Sequence, residues 1–416
     1  MKLGKNFGIY LGSSIVSGAL PLALMPFLTA HLAPVQYGVM VTITTIIALI
    51  APVVNWATTA YLSVQYHKTA EAELGTLLSS ILIIPIANTV FLTIAFILAK
   101  HHLSAWFGIP ADWSYVMPLM AAAMLLPQMA QTVLAMRGRA IGFAAYEIGG
   151  ALIGFLATIT LVVLIGLGWE GRILASALAS LLMTCMAAGW LLRRRLLIGQ
   201  FSAVEMRAAL RFGGGGVVHD LANQALRLGD RLLIVALVGQ AAVGNYAVAV
   251  QWSSIMLTIL AAFNRAWMPF LFSALSQATP GWAERLVRQT YIVWGALLLL
   301  FVAFNVATPI GYALLVNKRY HESMPAVTWL TIGYLFNGIY LTVVDYIFYL
   351  KKTHILAAIT TFNLLLNTAL AYLFVQTYGP IGAAMAFAIT AAIVMGLTFV
   401  VSYRLHPMPW LRGIIR

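Results

Sequence analysis

The 416-residue sequence is poor in charge, in acids and in cysteine. Charged side chains make up 8% of it, against about 25% in a soluble domain, so most of its surface cannot face water. Acids number only 11 against 24 lysines and arginines. Cys185 is the single cysteine, which excludes an intramolecular disulfide, and it sits in an apolar run where it reads as a small lipid- or core-facing residue. The motifs of soluble catalysis are missing as well: no H-E-x-x-H, no C-x-x-C and no G-x-x-x-x-G-K-[ST] occurs. The run Gly213-Gly214-Gly215-Gly216 lacks the Lys-Ser/Thr of a phosphate loop and reads as a flexible or closely packed start to a helix. Without a nucleotide motif, energy for any transport has to come from gradients. His31 and His101-His102 have no metal-ligand company, so neither a metal nor a cofactor is expected.

What is present is hydrocarbon: 62% of residues are hydrophobic and the mean hydropathy is +0.93. At ~20 apolar residues per span the chain accommodates roughly twelve transmembrane helices. They fall at about 7–30, 38–65, 76–99, 113–135, 143–167 and 172–192, then 214–238, 244–275, 287–311, 324–347, 355–377 and 380–403. The first stretch follows Lys2 and Lys5 as a signal peptide would. It runs from Phe7 to Ala30 without a small-x-small cleavage site, so it reads as an uncleaved span. A net charge of +13 would suggest nucleic acid in a soluble protein. Here the positive-inside rule accounts for it, because the basic residues fall in alternate loops. One face collects seventeen, among them Lys2, Lys5, Arg137, Arg139, Arg193-Arg194-Arg195, Lys351, Lys352, Arg412 and Arg416. The other holds Lys100, Arg172, Lys318 and Arg319. That asymmetry puts both termini in the cytoplasm.

The halves repeat. Gly168-Trp169-Glu170-Gly171 leads to Ala175 and Ala177, and Gly379-Pro380-Ile381-Gly382 to Ala386 and Ala388, both G-x-x-G-x-x-x-A-x-A at an offset of 211. Tyr37-Gly38 and Gly244-Asn245-Tyr246, and the basic loops at Arg137/Arg139 and Lys351/Lys352, keep a similar register. The expected fold is therefore an all-α membrane protein of two six-helix lobes, 1–192 and 214–416, related by a pseudo-two-fold along the membrane normal. Such a pair leaves a central cavity, as in transporters. The connection 193–213 carries Phe201, Val204, Ala208 and Arg211 at helical spacing, which fits an interfacial amphipathic helix.

Candidate function concentrates in span seven, where Asp220, Asn223/Gln224, Arg227 and Arg231 recur every three or four residues and share one helix face. A charge at mid-bilayer costs ~2.5–3.5 kcal/mol on insertion scales, so this stripe should line a wet cavity or pair with neighbours. Span eight adds Arg265. Two arginines on adjacent helices with few acids suggest an anion site, because the guanidinium fork suits phosphate and stays charged. The substrate-binding candidates are Arg227, Arg265, Asn223, Gln224, Arg231 and Asn55, with Asp220 and Asp230 as candidates for ion coupling. The competing reading is structural: an Asp230–Arg231 ion pair, pairing of Arg227 with Asp220 or Asp230, and Arg265 snorkelling to the interface. Asn55 serves interhelical hydrogen bonding equally well. Glu147 and Asp345 lie near the basic loops at Arg137/Arg139 and Lys351/Lys352, as candidates for a cytoplasmic gate or for local neutralisation.

Four segments in order resemble the O-antigen and polysaccharide flippases (the Wzx group), in the superfamily that includes lipid II flippases and multidrug/toxic-compound exporters. Leu28-Thr29-Ala30-His31-Leu32-Ala33-Pro34-Val35-Gln36-Tyr37-Gly38 is similar to L-T-R-x-L-x-P-x-E-Y-G, and Asp230-Arg231 with Val243-Gly244-Asn245-Tyr246 to D-R…V-G-x-Y. Asn264-Arg265-Ala266-Trp267-Met268-Pro269 looks like N-x-A-W-x-P, and Tyr378-Gly379-Pro380-Ile381-Gly382-Ala383-Ala384 like Y-G-x-x-G-A-A. His31 and Gln36 depart from the pattern's Arg and Glu. The resemblance implies alternating access in the bacterial inner membrane. It also implies a cargo of lipid-linked oligosaccharide on undecaprenyl pyrophosphate, such as an O-antigen unit. Membrane lipids and the polysaccharide polymerase and chain-length machinery would be its partners, and nucleic acid would not. A small-molecule exporter of the same fold is the alternative, for which acids and aromatics would suit cationic drugs. A polysaccharide polymerase would need a large outer loop with catalytic residues, whereas the longest here spans about Lys100 to Asp112, so no enzyme is expected.

Overall fold

The computed structural model describes residues 2–276 and 281–410, with backbone only for 2–7 and 353. Arg412 and Arg416, counted on the cytoplasmic side, lie outside the described residues, as do the side chains of Lys2 and Lys5. Fourteen α-helices and no strand occur among the described residues: α1 (Lys2–His31), α2 (Pro34–Asn55), α3 (Thr58–Gln65), α4 (Leu74–Phe107), α5 (Val116–Ala123), α6 (Leu125–Met136), α7 (Ala140–Thr158), α8 (Gly168–Arg193), α9 (Ala203–Leu237), α10 (Gln240–Ser276), α11 (Trp282–Leu315), α12 (Met324–Tyr349), α13 (Thr353–Tyr378) and α14 (Pro380–Leu405). Among the described residues, eleven stretches are long and apolar enough to cross a membrane. The 35-residue α9, with its charged stripe, brings the long elements to twelve. Residues on α4 such as Phe91, Ile94 and Leu98, and on α11 such as Leu299, Val306 and Leu314, are more than half exposed. Rows of bare hydrocarbon on this scale are the surface that lipid covers. This is an all-α membrane protein.

The chain forms two compact units, Met1–Gly244 and Asn245–Arg416. In the first, α9 packs on α2 and α4, α1 on α7, and α7 on α8. Its core includes Leu62, Leu77, Leu78, Ile81, Met129, Val133 and Leu191. In the second, α12 and α13 pack on α14, and Trp267, Leu271, Leu286, Val287 and Tyr346 form a core cluster. The 193–213 connection does not stand apart. Ser202 caps α9 by accepting from the Glu205 amide at 3.3 Å, its own amide donates to Ser80 Oγ on α4 at 2.8 Å, and α9 continues unbroken into span seven.

The L-x-P-x-x-Y-G segment is the joint between α1 and α2. Pro34 stands at the first helical position, where its missing N–H is not needed, and Gln36 Oε1 reaches back to accept from the Ala33 amide at 3.1 Å. Glutamine thus does the capping that the pattern's glutamate would do. The adjoining glycine carries a helix crossing. A Cβ on Gly244 would lie 2.1 Å from the Pro34 carbonyl oxygen and 2.9 Å from the Gly38 nitrogen, so two glycines of the internal repeat meet.

Two expected spans are broken beside a proline, the first just past Pro52 and the second one turn before Pro127. Proline cannot donate to the carbonyl four residues back, and in a membrane no water replaces it. Pro52 frees the carbonyl of Ala48, and Gln224 of α9 donates Nε2 to it at 3.2 Å. Four residues on, Trp56 and Ala57 turn left-handed at φ 50° and 52°, ending α2. In the α5–α6 span Pro127 frees the carbonyl of Ala123, which accepts from Thr184 Oγ1 of α8, and α5 stops at that residue. The bulky turn at Trp56 is clamped by α9. Its indole Nε1 donates to the Leu210 carbonyl at 3.1 Å, and a Cβ on Gly213 would fall 2.2 Å from its Cδ1. Of the two readings of the glycine run, close packing holds at Gly213, while Gly214 and Gly215 face open space.

Two outcomes are expected when unfolding of the solubilised protein is followed by temperature. Gly213→Ala should destabilise by about 1–3 kcal/mol through overpacking, whereas Gly214→Ala should be neutral or up to about 1 kcal/mol stabilising from helix propensity. Equal effects would refute the clamp. Gln224→Leu, by orphaning the Ala48 carbonyl, should cost about 1–3 kcal/mol, and an unchanged midpoint would show that the bond carries nothing.

Candidate functional site

A cavity of about 310 Å³ lies within the first unit, walled by α2, α5, α6 and α9. Its polar lining is Asn55, Gln128, Asp220, Asn223, Gln224 and Arg227, and Ala51, Pro52, Ala121 and Leu125 complete it. Five of the ten residues singled out from the sequence therefore converge here. The α9 stripe reaches one cavity because i, i+3/i+4 and i+7 share a face. Proline in α2 and the break between α5 and α6 shape the walls opposite.

The polar groups are not equally free. Asn55 is spent on the α2–α3 break, where its Nδ2 donates to Thr59 Oγ1 at 3.1 Å and its Oδ1 accepts from Thr58 Oγ1 at 2.6 Å. Gln224 serves the Ala48 carbonyl. The Asn223 amide lies 3.0 Å from His219 Nε2. Arg227 is exposed, and no described carboxylate forms an ion pair with it. Asp220, also exposed, stands seven residues back, about 10 Å along the axis. The wall thus offers an unpaired guanidinium and a carboxylate two turns apart on α9, with Asn223 between them and the Gln128 amide contributed by α6. A guanidinium without a counter-ion accepts a bidentate anion such as phosphate, and the carboxylate accepts from hydroxyls.

The remaining expectations divide. Arg231 lies one turn beyond the cavity lining; its Nη1 is 3.4 Å from the Arg227 carbonyl, and its amide donates to Asp230 Oδ1 at 2.8 Å. Arg265 belongs to the second unit, where it is exposed and its Nε folds back to the Ala261 carbonyl at 3.3 Å. Neither Arg231, Asp230 nor Arg265 lines the cavity.

Among the described residues, neither gate candidate forms an ion pair with the basic loops in this structure. Glu147 does not bridge to Arg137 or Arg139. It accepts from three serines of α1: Ser13 at 2.5 Å, Ser14 at 3.1 Å and Ser17 at 3.2 Å. Arg137 pairs instead with Glu71 at 3.1 Å and donates to Tyr66 at 2.7 Å. Asp345 is 1% exposed inside the second unit and its Oδ2 has no hydrogen-bond partner, while Lys351 and Lys352 are exposed. Sequence proximity to a basic loop did not decide a carboxyl's partner, because a helix turns residues a few positions apart to different faces.

Two contributors went unforeseen. Gln128 follows Pro127 in an apolar span, and an amide beside a proline, with Gln131 one turn on, was the available signal. Arg172, counted with the outer loops, lies in α8, donates to Ser176 one turn on, and lines a second cavity of the same unit.

The family described as "Polysaccharide biosynthesis protein" matches residues 3–275. Among solved structures, the chain aligns with the lipid II flippase MurJ in its inward closed conformation at a TM-score of 0.76 and 15% identity, over 97% of this chain and 89% of that one. An inward-facing multidrug resistance MATE family transporter of the MOP superfamily aligns at 0.70 and 14% identity, over 94% and 93% of the two chains. The Vibrio cholerae MATE transporter VcmN in its bent form gives 0.58 and 16%, over 97% and 96%. No curated protein sequence matches. At these identities the structures speak for the fold and the family match for descent, so the chain belongs to the polysaccharide biosynthesis protein family and has the all-α fold of MOP-superfamily transporters.

Proposed function

We propose that this protein is a flippase. It carries a lipid-linked oligosaccharide, an undecaprenyl pyrophosphate-bound unit such as an O-antigen unit, from the cytoplasmic to the periplasmic leaflet by alternating access. The observation that carries the reading is Arg227: an unpaired, exposed guanidinium in a cavity inside a membrane bundle. The family match to polysaccharide biosynthesis supports a glycan cargo. Size limits what the cavity takes. At about 310 Å³ it stands at the low end of small-molecule sites, enough for a charged headgroup with an adjoining sugar and not for a whole glycan. In this reading the pyrophosphate engages Arg227 while Gln128, Asn223 and Asp220 meet sugar hydroxyls. The polyprenyl chain stays in lipid. The protein resides in the bacterial inner membrane with both termini in the cytoplasm, working beside the polymerase and chain-length machinery.

A second reading has one observation in its favour. Asp220 shares the cavity, and a carboxylate could hold a cationic drug, as in an exporter of the same fold. The two separate by which charge is essential.

In a flippase-deleted strain complemented with this chain, Arg227→Ala should abolish surface polysaccharide at normal membrane abundance, and Arg227→Lys should restore part of it. Full export by the alanine variant would remove Arg227 from the mechanism. Loss of drug resistance in Asp220→Asn, with glycan export unaffected, would favour the exporter. In a Cys185→Ala background, a cysteine placed at Ser104 should react with an impermeant maleimide in intact cells and one placed at Ser202 should not. The reverse pattern would invert the topology.

A further inference from the structure

The second cavity of the first unit, about 360 Å³, meets the first at Ala51 and is enclosed by α1, α2, α5, α7 and α8. Its character differs from the first. Most of the wall is hydrocarbon, including Leu20, Leu24, Ile47, Met120 and Phe155. One cation stands in it, Arg172, whose Nη1 donates to the Ser176 hydroxyl. No described carboxylate forms an ion pair with this guanidinium. Glu170, two residues before it, is exposed, and Glu147, whose partner Ser17 lines the cavity, already accepts three serine hydroxyls. A guanidinium held by a neutral hydroxyl among aliphatic walls lacks a counter-charge. A ligand that supplies one must also cover the apolar remainder.

We propose that this cavity binds the headgroup end of a phosphate-bearing lipid. The phosphate sits against Arg172 and the Ser176 and Ser180 hydroxyls, and the first carbons of the hydrocarbon chain run along Leu20, Leu24 and Phe155. The guanidinium fork matches two phosphate oxygens, and the Ser180 hydroxyl donates to a third, while the Ser176 proton goes to the Arg172 carbonyl at 3.2 Å and its oxygen positions the guanidinium. The mixed lining excludes both a free inorganic anion, which would leave the aliphatic wall bare, and a neutral lipid, which would leave Arg172 unmatched. The volume takes a headgroup and its proximal carbons rather than two whole acyl chains. The phosphate ester can belong to a bulk anionic phospholipid or to a polyprenyl phosphate. The proposal does not depend on the cargo assigned to Arg227.

Native mass spectrometry of the purified full chain tests it, with phosphatidylglycerol, undecaprenyl monophosphate, diacylglycerol and inorganic phosphate as separate probes. The wild type should retain at least one of the two phosphate lipids in preference to diacylglycerol, and the one retained identifies the source. Arg172→Gln keeps a donor for Ser176 but removes the charge, and should lower retention about tenfold or more, the loss of a charge-assisted bond. Arg172→Lys should recover most of it. Gly154→Leu, at a position whose Cβ would meet only Ala179 at 3.7 Å, fills the cavity and should also abolish retention. Arg227→Ala should leave retention intact, separating this site from the neighbouring cavity. Unchanged retention in a thermally stable Arg172→Gln protein, equal retention of diacylglycerol, stabilisation by inorganic phosphate alone, or no retained lipid would each overturn the proposal.

Discussion

A carbonyl freed by proline has no water to turn to inside a bilayer, and the first unit is organised around two of them. Pro52 frees the Ala48 carbonyl and Gln224 of α9 takes it; Pro127 frees the Ala123 carbonyl and Thr184 of α8 takes it. Each repair fastens one helix to another, about two turns before the break on α2 and at the break itself after α5, and Asn55 and Leu125 beside the two breaks line the cavity. The left-handed turn at Trp56 and Ala57, otherwise costly for residues with a Cβ, is held by the glycine of α9 that lets the indole lie flush. The site is polar because the unbroken α9 turns its stripe toward it, and the interruptions of the facing helices lie in its wall.

The two cavities that meet at Ala51 divide the labour of charge differently. Around Arg227 the lining is amides and a carboxylate, which can meet hydroxyls as well as phosphate. Around Arg172 it is aliphatic with a few hydroxyls. A guanidinium costs most where nothing else is polar, so each cation is informative through its surroundings. The serine clamp on Glu147 belongs to the same economy: three charge-assisted hydrogen bonds keep a carboxylate from seeking either arginine.

The number and placement of the long helices, the all-α class and the polar stripe on α9 were legible in the chain itself. The L-x-P-x-x-Y-G segment stood out in the chain as a resemblance, and the structure supplied its capping role, with Gln36 accepting from the Ala33 amide. The interruptions at Trp56 and Met124 were not legible, although the prolines were visible. A proline says which carbonyl is freed and leaves open whether the helix bends or stops, because that depends on what arrives from another helix. Gln128 and Arg172 were missed for a related reason. One is an uncharged amide, which carries no insertion penalty large enough to stand out in an apolar span, and the other was counted with the outer face by charge, which reads sidedness and not depth.

Period and composition are properties of a single helix, so the sequence alone determined which residues share the α9 face and that the chain belongs in lipid. Partners are properties of pairs of helices distant in the chain. Tertiary structure alone decided that Gln224 serves a carbonyl on α2, that Glu147 turns to serines rather than to arginine, and that Asp345 is buried. Helix periodicity fixes the direction of a side chain about its own axis, and only packing fixes what stands at the end of that direction.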